Sequence, residues 1–199
     1  MKPQIEQLTI GGDPAAWRRA GFTVGPEGTR VGAVRLHFAP GEGILGWRLT
    51  GRAAEIDGLP VALAGVGQAV GAAHPNGVTH IDHLVLFTPE LERTTRTLEN
   101  AGIGRRRVRE VETDDGLLRQ GFFRLGEVIL EAVEHPRVEA GPARFWGITF
   151  AVEDLDAAAE LLGEWLGSIR DAVQPGRQIA TIRGSAELGL PVALISAKS

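Results

Sequence analysis

The chain has 199 residues, and its 21 Lys and Arg against 25 Asp and Glu give a formal net charge of −4. This balance argues against a general nucleic-acid binder, which usually carries a basic face. Cysteine is absent, which excludes disulfides, thiolate metal sites and a cysteine nucleophile. No apolar run reaches the roughly 18 residues that a membrane helix needs, so we expect a cytoplasmic protein with no membrane and no nucleic-acid partner.

The first part of the chain predicts a short, irregular unit, called module one here. Strands are predicted over residues 5–10, 30–38 and 44–49 because apolar side chains alternate there. A helix of about two turns is predicted after Asp13, a residue type that caps helix N-termini. A glycine-rich linker over residues 51–77 follows.

Module two is the clearest unit in the sequence. Thr88 and Pro89 are typical of an N-cap and a first helical position, and Gly102 is typical of a helix end. An apolar, β-branched run before this helix predicts a strand over residues 81–87. Strand-like runs after the helix predict three more strands, over residues 105–111, 117–125 and 127–133. The unit is therefore βαβββ.

Module three repeats the pattern of module two. A strand is predicted over residues 145–151 and a helix over 153–167. Three further strands are predicted over residues 169–173, 178–183 and 190–196. Few residues are identical between the modules, so the repeat is one of pattern.

Two short motifs give the repeat a family resemblance. Ile-Asp-His-Leu-Val-Leu opens module two at residues 81–86, and Val-Ile-Leu-Glu-Ala-Val closes it at 128–133. Together with the βαβββ pattern they resemble the vicinal oxygen chelate superfamily, which includes glyoxalase I, bleomycin-resistance proteins, methylmalonyl-CoA epimerase and extradiol dioxygenases. The resemblance implies an α+β, glyoxalase-like fold in which repeated βαβββ modules form curved mixed sheets around a cleft. We expect a degenerate module plus linker over 1–76 and a glyoxalase-like domain over 77–199, with modules two and three paired around one cleft.

The resemblance also implies metal ligands on the first and last strand of each module. In module two these positions hold His83 and Glu131, whereas module three has Gly147 and Leu194 there. If module one paired with module two instead, Gln7 would align with His83 and supply a third ligand. Imidazole and carboxylate are suitable ligands for a divalent ion (Zn, Ni, Fe or Mn), which two protein ligands would hold weakly. The alternative, that the protein binds no metal, is left open.

Strand alternation predicts which neighbours share the face of His83. With a period of two, His83 shares a face with Ile81 and Val85, opposite His80 and Asp82. His80 is therefore not expected to be a second ligand beside His83, despite its spacing from it.

Further site residues are predicted around the cleft. Glu131 is the candidate catalytic residue that moves a proton. Arg177, beside a glycine turn, is the candidate partner of a substrate carboxylate or phosphate, and Trp146 and Phe123 are candidate walls for a substrate.

Two functions from different classes follow. The first is a divalent-metal-assisted isomerase, lyase or dioxygenase acting on a small oxygen-rich molecule. The alternative is a metal-free protein of the bleomycin-resistance type that binds and sequesters a small molecule. An odd number of modules leaves one sheet without a partner, which favours a homodimer.

Overall fold

The computed structural model describes residues 3–50, 55–60, 70–71 and 73–197. Within these residues the chain forms thirteen strands and three α-helices, and it has no helix that is long and apolar enough to cross a membrane. The helices are α1 (Pro14–Arg19), α2 (Leu91–Asn100) and α3 (Leu155–Leu162). The strands are β1 (Ile5–Gly11), β2 (Thr29–Val31), β3 (Val34–Ala39), β4 (Gly43–Leu49), β5 (Val70–Gly71), β6 (Val78–Thr88), β7 (Arg105–Thr113), β8 (Gly116–Leu125), β9 (Val128–Glu134), β10 (Arg144–Val152), β11 (Arg170–Asp171), β12 (Gln178–Ile182) and β13 (Val192–Ser196).

Modules two and three form one eight-stranded sheet in the order β11-β12-β13-β10-β6-β9-β8-β7. In each module the first strand pairs in parallel with the last, and the two first strands, β6 and β10, pair antiparallel at the centre. The order of strands in one half therefore mirrors the order in the other. This arrangement confirms the expected α+β fold, in which repeated βαβββ modules form mixed sheets.

Helix α2 begins later than the sequence predicts. Its first residue is Leu91, because the Thr88 hydroxyl accepts from the Glu90 N–H and so forms a turn before the helix. The Glu134 carboxylate of β9 accepts from the Leu91 N–H at 2.5 Å and takes the role that we assigned to a Thr88 cap. The helix then packs its apolar side on the sheet through Leu91 and Leu98, both fully buried.

Helix α3 ends earlier than predicted. Asp154 caps its N-terminus by accepting from the backbone N–H groups of Asp156 and Ala157. The α-helix stops after Leu162 because Gly163 has a positive φ of 52°, and a single 3-10 turn follows over Gly163–Trp165.

Module one is a βαββ unit and not a complete βαβββ module. The strand predicted over 30–38 is broken at a hairpin, where Gly32 has a φ of 57°. The strand β3 pairs in parallel with β1 and closes the unit, whereas β4 pairs antiparallel with the other edge of β1. Trp47, which lies on β4, is therefore a core residue that packs at 5.3 Å against the ring of Phe145.

Trp17 joins module one to the eight-stranded sheet. Its side chain is fully buried, its ring centroid lies 4.9 Å from that of Phe22, and an edge contact of 6.1 Å reaches Phe150 on β10. The indole N–H donates to the Leu188 carbonyl oxygen at 3.1 Å. Buried residues of both sheets thus belong to one continuous hydrophobic core. The division into domains over 1–76 and 77–199 stays a prediction.

We expect Trp17→Ala to lower the free energy of unfolding by about 3–5 kcal/mol, because it leaves a large cavity between the two sheets. The control is Trp146→Ala, since Trp146 is 47% exposed and packs mainly on Phe87, for which we expect about 1 kcal/mol. Urea denaturation measures both losses. Equal losses at the two positions would show that Trp17 does not join the sheets.

Candidate functional site

A cavity of about 380 Å³ lies on one face of the eight-stranded sheet. The strands β6, β8 and β9 supply its polar and aromatic floor, β12 and β13 supply apolar side chains, and the turn after β11 forms one wall. The residues that carry these contributions are His83, Gln120, Phe122, Ile129, Glu131, Val173, Gln174, Ile179 and Ile195. The cavity therefore lies between modules two and three, where the family resemblance predicts a cleft.

A β-bulge in β6 brings two neighbouring side chains together. Ile81 pairs with Phe150 and His83 pairs with Thr149, so Asp82 has no residue opposite it on β10. The Asp82 Oδ2 atom lies 2.9 Å from His83 Nδ1. Strict alternation would have placed these side chains on opposite faces, so our expectation that Asp82 lies away from His83 is wrong. The extra residue of the bulge is the physical reason.

Arg177 does not offer its charge to the cavity. Its side chain is 4% exposed, and its Nη1 donates to Asp82 Oδ1 at 2.6 Å. The same guanidinium donates to the Gln174 side-chain oxygen at 2.5 Å and to the Ser196 carbonyl oxygen at 2.7 Å. The assignment of Arg177 to a substrate carboxylate is therefore corrected. A buried carboxylate of the chain itself already occupies that position.

The Asp82 carboxyl is held ionised by its neighbours. Burial alone would raise its pKa, but the hydrogen bonds from His83 and Arg177 outweigh burial and lower the pKa of Asp82 to about 2. An ionised carboxylate only accepts hydrogen bonds, so the proton between Asp82 and His83 belongs to Nδ1. The ring nitrogen that His83 has left for the cavity is Nε2.

Glu131 shares the cavity with His83. It pairs with Val85 on β6 and with Phe122 on β8, whereas His83 pairs with Ile129. The two side chains are therefore staggered by two residues on neighbouring strands of the same face. The Gln120 amide nitrogen donates to the Glu131 carboxylate. The structure brings the two predicted residues together, and the catalytic role of Glu131 stays a prediction.

The donor set does not fit a resident metal ion. Module three offers no ligand. Leu194 is fully buried. Thr149 is the counterpart of Val85, and its partner on β13 is Ala193, which therefore stands at the position of Glu131. A side chain at Gly147 would bring its Cβ within 2.6 Å of the Pro191 carbonyl oxygen. Across the described part of the chain, no three His, Cys, Asp or Glu side chains converge on one point.

Gln7 lies in the other sheet and cannot complete the set. It pairs with Arg35 on β3 and Arg48 on β4, and it lines a separate cavity with them. The pairing of module one with module two that would bring Gln7 to His83 does not occur, because β10 already pairs with that edge of β6. The prediction that Gln7 is a metal ligand beside His83 is therefore wrong.

Of the two aromatic residues predicted to contact a substrate, Trp146 lies outside the cavity and Phe123 lies at its border. Trp146 packs on Phe87 at 5.4 Å, beyond the residues that line the cavity. Phe123 borders the cavity, but its side chain is 1% exposed and lies in the core beside Leu91. The aromatic residue on the face of Glu131 is its neighbour Phe122. A prediction from sequence had no way to choose between the two without the strand register.

Four arginines at the cavity are absent from the site residues that the sequence predicts. Arg106, Arg107 and Arg109 of β7 and Arg124 of β8 line the cavity. None of them forms an ion pair within the described residues. By contrast, Arg105 of the same strand pairs with Glu92 of α2 at 2.9 Å. The sequence signal for these arginines is the alternation of side chains along β7. With a bulge at Arg106, this alternation places Arg107 and Arg109 on the opposite face of the strand from Arg105.

No protein-family model matches the sequence, and no curated protein matches it. Several solved structures are similar. The hypothetical protein BH1468 from Bacillus halodurans C-125 is 13% identical, with a TM-score of 0.49 over 60% of this chain and 94% of that chain. Methylmalonyl-CoA epimerase from Mycobacterium tuberculosis is 16% identical, with a TM-score of 0.49 over 62% and 91%. Methylmalonyl-CoA epimerase in complex with methylmalonyl-CoA and NH4+ is 18% identical, with a TM-score of 0.49 over 61% of this chain and 96% of that chain. The fold follows from the strand pairing described above, and no residue's role follows from these likenesses.

The low pKa of Asp82 makes stability depend on pH. The pKa of Asp82 is about 2 in the folded chain, against 3.8 for an ordinary Asp. The ionised carboxylate therefore stabilises the fold above about pH 4, and this contribution is lost as the pH falls from about 4 to about 2. The full contribution is about 2 kcal/mol. Between pH 6 and pH 3, we expect the free energy of unfolding of Asp82→Asn to fall by about 1 kcal/mol less than that of the wild type. Urea denaturation measures this, with Asp114→Asn in an exposed turn as the control. The same loss in Asp82→Asn as in the wild type would contradict the assignment.

A metal held by His83 and Glu131 alone should be weak. Two protein ligands leave most positions of an octahedral ion to water, so we expect Zn, Ni, Fe or Mn to be removed by dialysis to well below one equivalent. Elemental analysis of the dialysed protein measures this, and His83→Ala should remove any residual metal. One equivalent that survives dialysis in both His83→Ala and Glu131→Gln would place a metal site elsewhere.

Proposed function

We propose that this glyoxalase-like chain is a small-molecule-binding protein whose cleft takes an organic anion with an apolar body. The observation that carries the proposal is the set of four arginines that line the cavity without an ion pair among the described residues. This is the metal-free alternative of the two functions that the sequence leaves open.

The charge around the cavity is opposite in sign to that of the whole chain. Four guanidinium groups face one carboxylate, that of Glu131, and Gln120 already donates to it. The chain as a whole has a net charge of −4. A cationic cleft on an acidic protein attracts anions selectively, and guanidinium groups bind carboxylates and phosphates through paired hydrogen bonds.

The cavity also has an apolar part. Ile179 and Ile195 of module three lie across from Phe122 and Ile129 of module two. The guanidinium carbon of Arg107 lies 4.5 Å from the centroid of the Phe122 ring, which fixes the charge beside an aromatic surface. The cavity volume of about 380 Å³ lies in the usual range for small-molecule sites. A ligand with an acidic group and a ring or short aliphatic body satisfies both parts.

A second candidate is an isomerase-type enzyme that moves a proton on the bound anion. One observation favours it: His83 is oriented by an ionised Asp82, and its Nε2 is left for the cavity. Glu131 would be the second group of such an enzyme. For a metal-assisted isomerase, lyase or dioxygenase, the described residues supply no third ligand, since module three contributes Gly147 and Ala193 at the corresponding positions.

The homodimer and the cytoplasmic location stay predictions. Module one packs on the eight-stranded sheet of its own chain through Trp17 and Trp47. Its sheet therefore has a partner within the chain, and the unpaired sheet that favoured a homodimer is not found among the described residues.

The anion-binding proposal is tested with 2-naphthoate and its neutral analogue naphthalene-2-carboxamide. We expect the carboxylate to bind more tightly than the amide, and the double variant Arg107→Gln/Arg109→Gln to weaken the carboxylate about tenfold while leaving the amide unchanged. The control is Arg105→Gln, which removes a charge from the same strand on the side of α2. Isothermal titration calorimetry measures all affinities. Equal affinity for acid and amide, or no loss in the double variant, would refute the proposal.

A further inference from the structure

A continuous chain of hydrogen bonds runs from the wall of the cavity to His83. Ala172 and Gln174, in the turn after β11, line the cavity, and the Gln174 side chain accepts from Arg177. Arg177 donates to one oxygen of Asp82, and His83 lies 2.9 Å from the other oxygen. Both carboxylate oxygens of Asp82 are therefore engaged in fixed directions.

The central ion pair of this chain is buried. The side chains of Arg177 and Asp82 are 4% and 6% exposed. Removing two charges from water is costly, and a buried pair is tolerated only where its remaining donors and acceptors are satisfied. Here the guanidinium also reaches the Ser196 carbonyl oxygen at 2.7 Å. The pair is thus a rigid support, set directly behind a side chain that faces the cavity.

The ion pair decides which nitrogen of His83 carries the proton. A carboxylate in contact with a guanidinium group is ionised and only accepts, so His83 Nδ1 must donate to it. In the neutral form of the ring, Nε2 then has a lone pair that can accept a hydrogen bond from the cavity. Around it the polar lining is rich in donors, which are the arginines and the Gln120 amide, and Glu131 is the other acceptor.

We infer that Asp82 and Arg177 are positioning residues that hold His83 as a hydrogen-bond acceptor toward the cleft, so that the cleft selects organic anions that also carry a hydroxyl group. The inference rests on the proposed anion binding and adds the second group that a ligand must have. An anion without a hydroxyl satisfies the arginines and leaves Nε2 without a partner in a partly apolar cavity. A hydroxyl in reach of Nε2 removes that penalty.

The first measurement compares 2-naphthoate with its 1-hydroxy, 3-hydroxy and 6-hydroxy derivatives by isothermal titration calorimetry. One neutral hydrogen bond corresponds to about two- to tenfold in affinity, so we expect at least one hydroxy acid to bind by that factor more tightly to the wild type. In His83→Ala the ratio of the affinity for that hydroxy acid to the affinity for 2-naphthoate should fall to about one. If no hydroxy acid has an advantage, or if His83→Ala retains it, the inference is overturned.

The second measurement reads the proton on His83 directly. In Asp82→Asn the amide oxygen faces Arg177, so the amide N–H₂ faces Nδ1, which must now accept. Long-range ¹H–¹⁵N spectra of the neutral ring should show the Nδ1–H tautomer in the wild type and the Nε2–H tautomer in the variant. The hydroxyl advantage should disappear with the change of tautomer. Asp115→Asn, which removes a surface ion pair with Arg137, is the matched control and should change neither.

The two proposals fail in different ways. If 2-naphthoate does not bind to the wild type, or binds without dependence on Arg107 and Arg109, the anion-binding function fails. The tautomer of His83 is measured without any ligand, so it tests the positioning role in either case. An Nε2–H tautomer in the wild type would overturn that role even if anions bind.

Discussion

The candidate site depends on the antiparallel pairing of β6 with β10 at the centre of the eight-stranded sheet. This pairing joins modules two and three into one surface and sets the level at which His83 lies on it. It also contains the β-bulge at Asp82, a residue that has no partner on β10 in the hydrogen-bond ladder. A regular ladder would turn Asp82 to the other face, and His83 would lose the carboxylate that orients it. The register of the backbone therefore fixes the geometry of the site, and the side-chain contacts follow from that register.

The sequence was sufficient for the architecture and for part of the site. The apolar runs of modules two and three are long and separated by glycine turns, so their strands could be assigned without tertiary information. His83 and Glu131 were found through the family resemblance, which implies site residues on the first and last strands of a module. In the structure these two strands pair in parallel.

The remaining features depend on contacts that are distant in sequence. The bulge at Asp82 is defined only by the register against β10, and the burial of Arg177 depends on Asp82, 95 residues before it. Phe122 and Phe123 are adjacent and chemically alike, so only the pairing of β8 with β9 decides which one faces the cavity. In α2, the partner of the Leu91 N–H is Glu134, 43 residues away, which no capping pattern can reveal.

The turn held by Arg177 also has a consequence for how a ligand would enter and leave. Within the turn, the Ala172 N–H donates to the Arg177 carbonyl oxygen and the Arg177 N–H donates to the Gln174 carbonyl oxygen, so backbone and guanidinium anchor the same wall. Moving that wall would separate a buried ion pair, which costs free energy. The opposite wall is β7, which among the described strands pairs only with β8 and carries its arginines at the rim. Exchange of the proposed anion would therefore take place past this edge, with an association rate that added salt reduces and a dissociation rate that it changes little.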